Sequence, residues 1–403
     1  MNIDNKIALS AYYKGRGLSN ADIAVLLRVD ASSVSRYLKQ AEQNKWLQQK
    51  LQLRLPRELD RVVQATVRAV ELEEALFQLF SEAAGRGTLG PKVRREGFVV
   101  VRAPRDPNRD GKEARQENPP TQARVLDELG MAMMCIEGGR LLLDLLSQRE
   151  RDQPTILGVT WGRSTGGVVS CLGEMSLPEL PNLVVVALQG GVGRGLSPDV
   201  GSQYYPDILA ERLSLLFRSR TIPVRITLPA YILAATAAEV KDAGLRAIWK
   251  FIESDGSFQQ AVLCHKRLDV ALIGVGGFES QAWALSSGYL PDANAAAALI
   301  EEGAVGDIAC RFFRDRPEPP IEGWDASSGG SEAIRRTNLR AVGVSLASLR
   351  ARVGAGARVI AVAGGHSGAK AGAIRAAVLG GLVSDIVTDE ETAVSILKIK
   401  MSQ

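Results

Sequence analysis

The chain has 403 residues, 46% of them hydrophobic, with 49 Lys and Arg against 45 Asp and Glu and a net charge of +4. That is too long for one ordinary domain and apolar enough for at least one sizeable core, while the absence of any run of 18 apolar residues argues against a membrane span. Four scattered cysteines (Cys135, Cys171, Cys264, Cys310) and two histidines lack metal-ligand spacing, so we expect reduced, mostly buried thiols, no metal and no cofactor. The opening "MNIDNKIALSAYYKG" has no apolar block of the signal-peptide kind, and a cytoplasmic location is expected.

Charge is unevenly distributed. Residues 1–57 carry ten Lys/Arg against four acids, which leaves about −2 on the other 346 residues. A basic module on a near-neutral body fits polyanion binding, although a solvated charged face would look the same by charge alone. In "IALSAYYKGRGLSNADIAVLLRVDASSVSRYLKQAEQNKWL" a first helix carries Ile7, Leu9, Ala11 and Tyr12 and ends near Gly15 to Gly17. Ser19 or Asn20 caps a second helix with Ile23, Ala24, Leu26 and Leu27 inward, and Asp30 or Ser32 caps a third with Val34, Tyr37 and Leu38 inward. This is a helix-turn-helix pattern, and Ser32, Ser33, Ser35, Arg36 and Lys39 form the expected exposed, DNA-reading face. Arg28 stands where such turns favour glycine, so either it adopts a left-handed conformation or the turn differs. A structural helical hairpin is the alternative.

"KLQLRLP" suggests a short wing strand, and residues 57–83 repeat apolar residues at helical spacing as one long amphipathic helix. It either links subunits or covers its own domain. Phe98 to Val101 reads as a strand, followed by a charged, proline-containing surface loop at 103–121. From about residue 122, "PTILGVTWG", "NLVVVALQGG", "LDVALIGVGG" and "ARVIAVAGG" are apolar runs ending in glycine between helical segments, which predicts a Rossmann-like, doubly wound parallel α/β sheet. Ligands of such sheets sit beyond the carboxyl ends of the strands.

Several turns at that edge could carry chemistry. Thr160, Gly162, Arg163, Ser164 and Thr165 offer backbone N–H groups, hydroxyls and a guanidinium to an anion, or simply cap a helix. Gln189 and Gly190 lie in a second turn. Gly274, Gly276 and Gly277 are only a fragment of a dinucleotide fingerprint, and no acid is placed to read a ribose. Asp307 either accepts hydrogen bonds from sugar hydroxyls or caps a loop. "GGHSGAKAG" departs from a Walker loop: Ala369 separates Gly368 from Lys370, and Ala371 replaces the magnesium-holding hydroxyl. Lys370, at the start of a helix, is either a seat for one phosphate or a solvated residue.

The head "LSNADIAVLLRVDASSVSRYLKQAEQNKWL", with "ILGVTWGRST", "LDVALIGVGG", "GAVGDIACRFF" and "VIAVAGGHSGAKAGAIRAAVLGGLVSDIVTDEETA" in that order, resembles the SorC family of sugar-sensing bacterial regulators. The resemblance implies a helix-turn-helix, winged-helix-like domain at 1–57, a linker helix at 58–84, and an effector-binding and oligomerisation domain at 85–403 similar to sugar-phosphate isomerases and CoA transferases. It also implies operator DNA and a phosphorylated sugar or polyol as partners, assembly as a homodimer or homotetramer, and no membrane. Thr160 to Thr165 and Lys370 would hold phosphate, with Asp307 and Gln189 on sugar hydroxyls and Gly190 and Gly276 in the same site. Arg28, Ser164 and the 103–121 insertion depart from the family pattern. The competing function is an isomerase with an appended helical domain, in which Asp307 or His366 acts as base or Lys370 forms a Schiff base.

Overall fold

The computed structural model describes residues 3–15, 18–44, 46, 63, 66–85, 93–102, 120–150, 152–191, 205–278, 282–315, 331–365 and 368–399. The wing strand, most of the 103–121 loop, His366 and Ser367 lie outside the described residues.

Three helices build the head: α1 (Ile3–Lys14), α2 (Asn20–Leu27) and α3 (Ala31–Gln43). Ser19 starts α2 through a reciprocal capping box with Asp22, and Asp30 starts α3 by accepting the Ser33 N–H at 2.7 Å. Between them Arg28 takes the left-handed conformation (φ 54°, ψ 54°), a cost of roughly 1 kcal/mol for a residue with a Cβ. The turn is kept because the Arg28 and Val29 N–H groups close onto Val25 and Ala24 carbonyls at 3.3 and 3.0 Å. One expected member of the exposed face of α3 is not there. Ser33 is only 6% exposed, with its hydroxyl donating to Asp30 at 2.8 Å and accepting from Arg36 at 2.8 Å, because it belongs to the cap. Ser32, Ser35, Arg36 and Lys39 are exposed, while Leu26 and Tyr37 are half-buried rather than fully inward.

The expected long helix over 57–83 is interrupted at Arg68 and Ala69. Arg68 bridges Val101 in antiparallel fashion, and Ala69 N–H donates to Val100 at 2.8 Å before α4 (Val70–Gly85) begins. The cause is Glu73, buried at 1% exposure. Its carboxylate accepts two hydrogen bonds from Arg68 (2.7 and 2.8 Å) and one from the Val100 N–H (3.1 Å), so the chain leaves the helix to cover the free edge of β1 (Phe98–Val101).

The body follows as α5 (Pro120–Ser147), β2 (Thr155–Val159), α6 (Arg163–Gly173), β3 (Leu183–Ala187), α7 (Pro206–Leu216), α8 (Ala234–Ser254), α9 (Gly256–His265), β4 (Val270–Ile273) and β5 (Gly276–Gly277). It continues as α10 (Ala282–Ser286), α11 (Ala293–Glu301), β6 (Ala304–Ile308), β7 (Arg311–Arg314), α12 (Glu332–Asn338), α13 (Leu346–Gly354), β8 (Arg358–Val362), α14 (Ala371–Leu379), β9 (Asp385–Asp389) and α15 (Glu390–Lys398). Six strands pair in parallel in the order β1-β9-β8-β4-β2-β3, the doubly wound α/β sheet expected. Ile360 and Val362 pack with α5 residues on one face, while Val359 and Ala361 pack with α14 and α15 residues on the other, so both faces are dry and the strands read as continuous apolar runs. The glycine-ended runs are β2, β3, β4 and β8. A second, antiparallel sheet of β5, β6 and β7 was not expected from the pattern.

The head is packed against the body. The Tyr12 hydroxyl donates to the Glu137 carboxylate on α5; both are buried, and one continuous cluster joins Ile7, Leu9 and Leu38 to Met133, Leu142 and Val168. At the amino-terminal end of the sheet Arg358 grips Asp385 bidentately, with Nε at 2.9 Å from Oδ2, and both side chains are buried. Removing Asp385 leaves the buried Arg358 only the longer contact to the exposed Glu96 at 3.6 Å, so Asp385→Ala should lower stability by about 3 kcal/mol, whereas the paired apolar replacement Arg358→Met with Asp385→Leu should cost less. Urea denaturation of the three proteins checks the ranking.

Candidate functional site

The strand order reverses direction between β2 and β4, which opens a crevice at their carboxyl ends. Thr160 ties that point together: its N–H donates to Leu272 at 3.1 Å, and its buried hydroxyl oxygen accepts the Gly274 N–H at 3.1 Å. Gly162 follows with φ 138°, a conformation that a side chain would strain, and this lets the chain turn directly into α6. The Thr165 hydroxyl donates to the Gly162 carbonyl at 3.0 Å, so it is occupied in closing the turn. Arg163 is the exposed first residue of α6, and the half-buried Ser164 lies beside Gly274.

Lys370 stands at the start of α14, half-buried. Burial first, and the Arg163 guanidinium second, lower its pKa from the ordinary lysine value, while Asp307 and Asp389 act in the opposite direction. Two cations from separate turns therefore face one space. The antiparallel sheet brings the counter-charge: Gly276 pairs with Asp307 across β5 and β6, and a Cβ on Gly276 would lie 2.0 Å from the Asp307 Oδ1, so only glycine admits this carboxyl. Lys370 lies against Gly277. Desolvation pushes the pKa of Asp307 up to about 6, against the Cys310 N–H, Lys370 and the Trp283 indole, all of which favour its anion.

Gln189 is 1% exposed, with Nε2 at 3.7 Å from the Cys310 Sγ and Oε1 without a partner among the described residues. Since Cys310 also donates its backbone N–H to Asp307, Gln189 and Asp307 meet on the same residue. Gly190 is placed otherwise, because its N–H is spent on Val342 at 3.0 Å. Thus Thr160, Gly162, Arg163, Ser164, Thr165, Gly276, Asp307 and Lys370 converge, Gln189 reaches the same edge through Cys310, and Gly190 serves packing. His265 is a core residue, with Nε2 at 3.0 Å from the Ala187 carbonyl and its pKa lowered to about 4 by burial.

Sequence reasoning missed the aromatic side chains around Asp307. Phe312, Tyr289 and Trp283 form a column of nearly parallel rings, and Trp161, directly after Thr160, meets Trp283 edge-on at 5.2 Å. Only 5% of the chain is aromatic, and no periodicity marks these residues; Trp161 and Phe312 stood inside motifs already singled out, without being read as part of a site.

Comparisons with known proteins agree with this geometry. The family model described as "Putative sugar-binding domain" matches residues 127–398. The transcriptional regulator LsrR of Klebsiella pneumoniae is 30% identical over 172 residues, 41% of this chain and 47% of that protein, and LsrR of Escherichia coli O139:H28 is 30% identical over 173 residues. The chain thus spans about half the length of the curated relatives it matches. Two solved structures share the fold: the full-length sorbitol operon regulator SorC of Klebsiella pneumoniae (TM-score 0.54, 19% identity, 99% of each chain) and a DeoR family regulator of Listeria monocytogenes (TM-score 0.54, 17% identity, 81% of this chain and 98% of that one). The resemblance carried by the motifs is borne out, and the chain belongs to the SorC-type family that carries this sugar-binding domain.

Proposed function

We propose that the protein is a transcription regulator of a carbohydrate or polyol operon, whose head binds operator DNA and whose body binds a phosphorylated sugar or polyol that controls that binding. The observation that carries the reading is the meeting of Lys370 and Arg163 with the buried Asp307 at the switch point of the sheet. Two cations and the Thr160 to Thr165 turn suit a phosphate, while a carboxylate and the Gln189 Oε1, without a partner among the described residues, suit hydroxyl groups. In the head, Ser32, Ser35, Arg36 and Lys39 reach bases and phosphates, and Ser33 orders the cap. Residues 1–57, 58–84 and 85–403 divide into DNA-binding, linking and effector-binding parts, and the protein works in the cytoplasm as a homodimer or homotetramer. The effector acts by linkage: it binds one arrangement of the recognition helices better and shifts the population toward it.

No observation favours the isomerase alternative. The curated relatives that this chain matches are named as regulators, and His366, one of the candidate bases, lies outside the described residues.

A mobility-shift titration on the gene's upstream region, with and without a panel of phosphorylated sugars and polyols, tests the proposal; sequence-independent binding that no phosphosugar alters would refute it. Lys370→Ala should weaken the effector response by about tenfold or more while operator affinity without effector stays the same, read in the same assay. Asp307 adds a pH signature. Its folded pKa is raised, so its stabilising contribution is complete below about pH 4 and is lost as pH rises through about 6. Asp307→Asn removes this loss, and between pH 5 and 7.5 the wild type should lose about 1 kcal/mol relative to the variant in thermal or urea unfolding.

A further inference from the structure

The wall of the crevice beside Asp307 is aromatic and is not needed to hold a phosphate. Trp283 ends a column of stacked rings: it lies 5.7 Å from Tyr289 at an interplanar angle of 16°, and Tyr289 lies 6.2 Å from Phe312 at 10°. Tyr289 and Phe312 are buried (0% and 2% exposed), so the indole at the end of the column is fixed from behind, yet Trp283 itself and Trp161 are only half-buried. Trp161 comes from the anion-binding turn, and Trp283 donates its indole N–H to Asp307. The two indoles, in edge contact with each other, thus run from the turn that carries Arg163 to the carboxylate.

A carbohydrate has two kinds of surface. Its hydroxyls need hydrogen-bonding partners, whereas its C–H faces gain by leaving water for an apolar plane. A rigid indole with a carboxylate at its edge meets both needs at once: the ring covers a C–H face, and Asp307 accepts from hydroxyls at the rim. The same carboxylate would repel an effector bearing its own acid group at that end.

We infer that Trp283 and Trp161, with Asp307 at the indole edge, are the specificity subsite for the carbohydrate part of the effector, which is a neutral sugar or polyol phosphate rather than a phosphorylated sugar acid. This rests on the effector reading above and adds the residues that choose among phosphorylated metabolites.

The test is a thermal-shift and calorimetric titration of the full chain with glucose 6-phosphate, fructose 6-phosphate, sorbitol 6-phosphate, ribose 5-phosphate, 6-phosphogluconate and inorganic phosphate. Wild type is compared with Trp283→Leu, Trp161→Leu and Trp283→Phe, each first shown to fold by circular dichroism. Either leucine variant should weaken the best sugar phosphate by about tenfold and leave inorganic phosphate unchanged, while Trp283→Phe, which keeps an aromatic face, retains most of the affinity. The subsite is overturned if the leucine variants bind the sugar phosphates as wild type does, if they lose inorganic phosphate in equal measure, or if 6-phosphogluconate binds wild type as tightly as the best sugar phosphate. Should wild type bind inorganic phosphate but none of the sugar phosphates, the subsite is wrong and the anion site stands. If it binds none of the phosphates, the effector reading fails with it.

Discussion

A buried carboxylate next to a lysine is the constraint around which the body is arranged. Ionising Asp307 in a dry pocket is costly, and its raised pKa records that cost even with the Cys310 N–H, the Trp283 indole and Lys370 all favouring the anion. Such a group persists only if the surrounding parts are held in place, and several elements here meet that requirement. The parallel sheet carries Lys370 to the start of α14, the antiparallel sheet lays β5 and β6 over it, and glycine at position 276 makes room for the carboxyl. The hairpin between β6 and β7 turns through Ala309 and Cys310, both left-handed at φ 51° and 64°, a conformation that costs residues with a Cβ energy. The Tyr289 hydroxyl holds the strained turn by donating to the Cys310 carbonyl at 2.7 Å, so the aromatic column and the acid are parts of one arrangement.

The parallel sheet was legible because its strands are buried on both faces. A strand with no wet side leaves an uninterrupted apolar run, and β2, β3, β4 and β8 each show one that ends in glycine. The antiparallel sheet left no such trace. Its β5 is two glycines, and β6 contains Gly306 and Asp307, a composition that reads as loop until the pairing partner is known. β9 escaped for a related reason: "DIVTD" places Asp385 and Asp389 at its ends, where Asp385 pairs with Arg358 and Asp389, besides capping α15, accepts the Gly365 N–H, and both of these partners are distant in sequence.

The same distinction holds for the site and the head. Thr160 to Thr165 and Lys370 were readable because glycine, hydroxyl and cation at a strand-to-helix turn have a local meaning. What Gly190 does was not readable in the same way, because its N–H is spent on Val342, which is distant in sequence. Ser33 was taken as a reading residue because helical spacing places it near the outside, yet the cap at Asp30 claims its hydroxyl. The break at Arg68 and Ala69 follows the same logic: helical periodicity runs through it, but a buried Glu73 and the open edge of β1 outweigh one turn of helix.

The contact between Tyr12 and Glu137 bears on how freely the head moves. Both groups are buried, and the apolar cluster around them is continuous from α1 to α5. To swing away, the head must strip a carboxylate of its hydroxyl partner and wet that cluster, so the reoriented state is disfavoured by about 1.5–3 kcal/mol from the hydrogen bond alone. A head on a flexible tether would sample many angles and lose entropy each time it settled on DNA. This one is packed against the body, so in the DNA-binding role proposed for it part of the ordering cost is already met in folding.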